Sequence, residues 1–164
     1  MPLGGVDVRQ RLRLNSKLKI EGHLAGEAGL RCGEVSRVHT RDLLESGGGA
    51  QLVVHGKGGK ERVVPITDSL ADAIRHDHRD GWLFPNRDGG HLTAYHVGAL
   101  VVRVLPDGWT MHTLRHRFSS RAYRGTRNLR AVQMLLGHSS ISTTERYCAV
   151  DDSEIRAAME SASG

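Results

Sequence analysis

Aromatic residues are scarce in this chain. Two tryptophans, three tyrosines and two phenylalanines among 164 residues leave the core to aliphatic side chains. Cysteine is scarcer still: Cys32 and Cys148 stand in no metal-ligating spacing and read as free thiols in a reducing compartment. No apolar run nears the roughly 20 residues that a membrane-spanning helix needs. The N-terminus also lacks the apolar stretch of a secretory signal. Acidic side chains form no cluster fit for a divalent cation, so no metal or other cofactor is expected. Together these absences point to a cytoplasmic protein without membrane contact.

Positive charge, by contrast, is plentiful. Lysine and arginine outnumber the acids to give a net +5, and the isoelectric point is near 9.7. That balance favours a polyanionic partner, of which nucleic acid is the commonest. The length suits one domain with a real core.

Residues 1–26 carry Arg9, Arg11, Arg13, Lys17 and Lys19 among scattered glycines. Leu12, Leu14, Leu18 and Ile20 fit neither helical nor strand periodicity, so this segment is expected to be a poorly ordered basic tail. A domain is expected over residues 27–164. Within it, Glu27–Val38 reads as a short helix on which Arg31 and Glu34 form an ordinary surface pair. Gln51–His55 and Arg62–Ile66 read as two strands closed by the glycine-rich connection Gly56–Glu61. That connection is not a nucleotide-binding P-loop. The glycine such a motif needs five residues upstream is missing, and no Ser or Thr follows either lysine. Its lysines, Lys57 and Lys60, are either solvated or delivered to a phosphate.

Asp68–His78 reads as a helix capped by Thr67 or Asp68. Thr93–Leu105 is the clearest amphipathic helix, with Val97, Leu100, Val101, Val104 and Leu105 on one side. From Thr110 a further helix places Met111, Leu114, Phe118 and Ala122 on one face. His112, Arg115, His116 and Ser119 fall on another, so the histidine and arginine are not needed for packing. His112 and His116 share a turn, but the Glu of a zinc-protease helix is absent and Arg115 repels a cation. Gly125 is expected to break this helix. Asn128 caps the next, which Gly137 ends. Two helices joined by a glycine turn also suit a helix-turn-helix reader of DNA. Short helices are expected from Ser142 or Thr143 to Tyr147 and over Asp151–Met159. The overall expectation is an α+β domain, mainly α, with a small antiparallel hairpin or sheet on one side.

Five stretches then occur in a telling order. They are Ala-Gly-Leu-Arg-Cys-Gly-Glu around Arg31, His-Gly-Lys-Gly-Gly-Lys-Glu-Arg around Lys57, His-Thr-Leu-Arg-His with His112 and Arg115, Leu-Leu-Gly-His ending at His138, and Thr-Thr-Glu-Arg-Tyr ending at Tyr147. In order and spacing they resemble the catalytic domain of tyrosine recombinases, the phage integrase family, over about Glu27 to Val150. The resemblance implies site-specific DNA recombination of the phage or prophage type. Tyr147 would attack a DNA phosphodiester to give a 3′-phosphotyrosyl link and a free 5′-hydroxyl, without a metal or a nucleotide. A free phenol has a pKa of about 10 and needs assistance. Arg31 and Arg115 would clamp the phosphate oxygens, since a planar guanidinium makes two parallel bonds to phosphate. His112 and His138 would hold the phosphate and assist proton transfer. Lys57 would protonate the leaving oxygen, with Lys60 as its rival. Lys60, Arg62 and His116 would contact DNA.

Double-stranded DNA is the partner so implied, with a homotetramer assembled on it. Family members usually carry a separate helical DNA-clasping domain ahead of the catalytic one, and it is expected to be absent here. The alternative is a truncated prophage remnant that binds DNA without catalysis.

Overall fold

Two short apolar runs between residues 49 and 65, separated by glycines, form an antiparallel hairpin in the computed structural model, which describes residues 16–77, 80–138 and 159–160. Strand β2 (Gly49–His55) pairs with β3 (Glu61–Pro65) in the register Leu52↔Val64 and Val54↔Arg62. The turn between them carries a short 3₁₀ segment, Lys57–Gly59, with Gly58 and Gly59 at φ of 72° and 73°. A third strand that the sequence did not reveal, β1 (Leu43–Ser46), pairs antiparallel on the far side of β2. Its pattern Leu-Leu-Glu-Ser does not alternate, and the strand is largely exposed, so only pairing defines it.

The expected disorder before residue 27 does not hold for its second half. Ser16–Gly26 is a helix, α1, whose Ile20, Leu24 and Ala25 are fully buried. It packs against the three helices α3 (Asp68–Asp77), α4 (Ala94–Val102) and α5 (Met111–Thr126). Burial of Ile20 and Leu24 contributes roughly 1.5–3 kcal/mol each. Tertiary contact overrides a local pattern blurred by Gly22 and Gly26.

The helix expected over Glu27–Val38 shrinks to α2 (Cys32–Val35). Gly29 interrupts it at φ of 68°, and a Cβ there would lie 2.5 Å from the Phe118 ring. The chain therefore turns at Gly29, passes close under α5, and restarts as a helix after Arg31. Leu30, Val35 and Val38 nevertheless reach the core.

Local capping signals were legible. Thr67 Oγ1 accepts from Leu70 N, Thr93 caps α4 and Thr110 caps α5. Asn128 caps α6 (Leu129–Leu136), and Gly137 ends it at φ of 62°. Gly125, however, does not break α5, which runs on to Thr126 before Arg127 turns left-handed. One aliphatic core joins α1, the sheet, α3, α4 and the start of α5. A smaller cluster of Val132 and Leu136 packs on Phe118 and Ala122. Among the described residues, no helix is long and apolar enough to cross a membrane. The segment with Tyr147 and the helix expected over Asp151–Met159 lie outside the described residues, except Met159.

Candidate active site

Arg31 stands at the N-cap of α2 in extended conformation. Glu34, three residues on, reaches back to accept the Arg31 backbone N–H at 2.7 Å, which fixes the entry to the helix. The Arg31 guanidinium also bonds Glu34, at 3.1 Å, while the arginine side chain stays about half exposed. This is not the surface pair expected. Glu34 is only 3% exposed, and Arg62 from β3 meets it with a two-pronged bond of 2.7 and 3.1 Å. Arg115 Nη1 lies 3.9 Å from the same carboxylate. Burial is the largest influence on Glu34 and opposes its ionisation. The bonds from Arg62 and the Arg31 backbone, with the charges of both arginines, outweigh it and hold the pKa below the usual value.

The end of α6 supplies the opposite wall. Its last carbonyls have no partner inside the helix, and arginines take them. Leu135 O accepts from Arg62 Nε at 3.0 Å. Leu136 O accepts from Arg115 at 2.8 Å and from Arg31 at a longer 3.5 Å. Arg115 also donates to Gly29 O, so the turn before α2 is tied to α5. The helical period made Arg115 look dispensable to packing. It is buried instead, because the Gly29 turn and the α6 end close over it.

His138 follows Gly137 and is held by its backbone, His138 N to Gln133 O and Gln133 Nε2 to His138 O. Its Nε2 lies 3.0 Å from Arg115 Nη2. A guanidinium only donates, so Nε2 accepts and the ring proton sits on Nδ1. Burial first, then the charges of Arg115, Arg31 and Arg62, push its pKa down from 6.5 to about 4. At neutral pH the ring is therefore uncharged.

Arg31, Glu34, Arg62 and His138 line an open cleft of about 750 Å³, with the Lys57 turn along its rim. Lys57 and Lys60 both line it and both are exposed, so geometry does not rank them. Arg37, which the sequence reading missed, donates to Gly33 O at 2.8 Å and Gly56 O at 3.3 Å and so fastens α2 to the base of that turn. His112 is exposed on the first turn of α5, and His116 is exposed further along. Neither is among the described residues lining the cleft. Tyr147 lies outside the described residues. Neither Glu34 nor Gln133 announces itself in the sequence, although the reach-back of Glu34 to Arg31 is a helix-start signal that could have marked it.

The arrangement is a cationic, preorganised hollow suited to a tetrahedral oxyanion. The chain is 35% identical over 142 residues to a tyrosine recombinase XerC of Nitrobacter winogradskyi, covering 78% of this chain and 44% of that protein. It is 34% identical over 164 residues to a tyrosine recombinase XerD of Rhizobium meliloti, covering 88% and 49%. It thus spans a little under half the length of these relatives. Its fold matches a solved XerH site-specific recombinase bound to its difH substrate, with a TM-score of 0.77 at 21% identity, over 93% of this chain and 50% of that one. The family model described as the Phage integrase family matches residues 10–154. The chain belongs to that family, the tyrosine recombinases.

Proposed function

We propose that this chain is the catalytic part of a site-specific DNA recombinase that cuts and rejoins strands through Tyr147. The observation that carries the proposal is the gathering of Arg31, Arg115 and His138 at the end of α6, beside the lysine turn, from elements far apart in sequence. Membership of the tyrosine recombinases supports it. The names of the relatives favour a Xer-type role over a phage-specific one.

In this reading the partner is double-stranded DNA, and assembly on it is a homotetramer. The phenolic oxygen of Tyr147 bonds to phosphorus as the bond from phosphorus to the 5′-oxygen breaks. The phenol passes its proton to water with the help of His112, and Lys57 gives one to the leaving 5′-oxygen, with Lys60 as the rival donor. The new ester retains the bond energy, so rejoining to another 5′-hydroxyl runs the step in reverse. Arg31 and Arg115 bind the non-bridging oxygens where charge grows. By analogy with oxyanion donors, each is worth about 3–4 kcal/mol. His138, neutral and with its proton on Nδ1, serves as a hydrogen-bond donor to phosphate, and His112 assists from α5. Lys60 and His116 are assigned to the DNA backbone.

The test is covalent trapping. Purified protein is mixed with nicked duplexes tiling the DNA on either side of its own gene, so that a cut strand diffuses away and cannot be rejoined. A denaturant-stable adduct is expected with the unaltered chain. Tyr147→Phe should abolish it while leaving DNA affinity intact, and Arg115→Ala should lower it by at least 10²-fold. DNA binding without any adduct would identify a binder that lacks the covalent chemistry.

A further inference from the structure

Arg62 was expected at the DNA, yet its guanidinium is turned inward and its side chain is only 16% exposed. Three of its N–H groups point into protein. Nη1 and Nη2 grip the two oxygens of Glu34, and Nε caps Leu135 O. The space it occupies is made by Gly137, where a Cβ would stand 2.8 Å from Arg62 Nη1 and 3.0 Å from its Cδ and Cζ. Gly137 therefore serves twice, as the left-handed stop of α6 and as the gap through which Arg62 reaches the helix end.

We infer that Arg62 is a positioning residue: one guanidinium fixes the strand that follows the Lys57 turn, the helix that carries Arg31, and the helix end that carries His138. The inference rests on the recombinase reading above and gives it a frame. Strand β3 begins directly after the lysine turn, so holding Arg62 limits where Lys57 can stand. Through Glu34 the same residue orients Arg31, and through Leu135 it sets the α6 terminus from which His138 is presented. A lysine can keep the charge at this place but offers no planar fork for both Glu34 oxygens.

The experiment compares Arg62→Lys with the unaltered chain in the adduct assay, alongside DNA affinity measured on the same nicked duplexes. The expected result is a DNA dissociation constant within about twofold and an adduct rate lowered by up to about 10²-fold, as for an ångström-scale misplacement of reacting groups. A parallel loss of rate and DNA affinity would return Arg62 to the DNA surface and overturn the inference. An unchanged rate would overturn it too. Should Arg62→Lys fail to fold, Glu34→Gln keeps the shape of the partner and removes its charge, and it should show the same split between rate and affinity.

A second measurement needs no DNA and separates this inference from the recombinase reading. His138 faces Arg115, Arg31, Arg62 and Glu34, and its titration is followed by NMR in the free protein. In the unaltered chain it should titrate near pH 4. In Arg62→Lys, which keeps the cation, the midpoint should still rise, because the α6 end loses its tie from Arg62 Nε to Leu135 O and the ring is less buried. An unmoved midpoint would refute the positioning role even if the adduct assay succeeds. A moved midpoint with no adduct from the unaltered chain would sustain the positioning role and refute the covalent chemistry.

Discussion

The floor and the rim of the cleft are built on opposite principles. The floor is charged but closed: Glu34 and the adjoining Arg115 are buried, Arg62 is half-buried, and each is bonded to a group from a distant element. The rim is equally basic but open. Lys57 and Lys60 are exposed around two left-handed glycines, with nothing within 4 Å of where a Cβ would stand on Gly58 or Gly59. Groups that must bind a developing charge gain from being fixed in advance, since no reorganisation is then needed as the charge appears. A proton donor must instead reach a leaving oxygen that moves, which suits a short turn.

Damage to the floor should therefore cost stability as well as chemistry, whereas damage to the rim should cost chemistry alone. The largest effect is expected from Glu34→Ala, which leaves three guanidinium groups around a buried hole. A loss of about 3–5 kcal/mol is expected in urea unfolding. Acid should attack the same floor. His138 has a folded pKa near 4 against 6.5 when free, so above pH 6.5 it adds no pH dependence. As pH falls from 6.5 to 4 the unfolded chain takes up a proton that the folded chain refuses, and stability drops by up to about 3 kcal/mol. Glu34, whose pKa is held low, adds a further loss as pH falls below its ordinary value of 4.5. Unfolding curves at pH 7 and pH 4, with His138→Gln as the control, isolate the histidine share.

Gly29→Ala comes next. A methyl group 2.5 Å from Phe118, on a backbone at φ of 68°, should cost about 1–3 kcal/mol and lower the midpoint of thermal unfolding. The rim should give the smallest stability effects. Lys57→Ala should change stability by no more than about 0.5 kcal/mol yet slow adduct formation severely. Gly58→Ala should cost about 1 kcal/mol through its left-handed backbone. A rim variant that unfolds the protein, or a Glu34→Ala variant that leaves stability unchanged, would erase the distinction.

What the sequence revealed and what it hid follow the range of the interactions. The hairpin, α4, the caps at Thr67, Thr93 and Asn128 and the stop at Gly137 depend on neighbours a few residues away, so they could be read directly. Arg31, Arg115 and His138, which the structure brings together at the end of α6, were singled out beforehand by motif order alone. Glu34 was misjudged because the partner that buries it lies 28 residues away. Arg115 was misjudged because Gly29 O stands 86 residues away and Leu136 O 21. No window of periodicity contains those groups. The helix α1 escaped for the same reason, since its buried face exists only once α3, α4 and α5 are assembled around it.

The three arginines that share the carbonyls of α6 sit at the negative end of that helix's dipole, where cations are favoured. This lets three positive charges stand together with a single carboxylate among them, leaving a surplus of two. A phosphodiester carries one negative charge, whereas the five-coordinate species formed when a phenolate adds to it carries two. With Arg37, Lys57 and Lys60 set against Glu61 along the same cleft, the hollow in the proposed reaction holds more positive charge than the resting DNA offsets and gains further from the species midway through strand cleavage. An enzyme accelerates a step only by binding that midpoint better than the start, and here the bias is present before the substrate arrives.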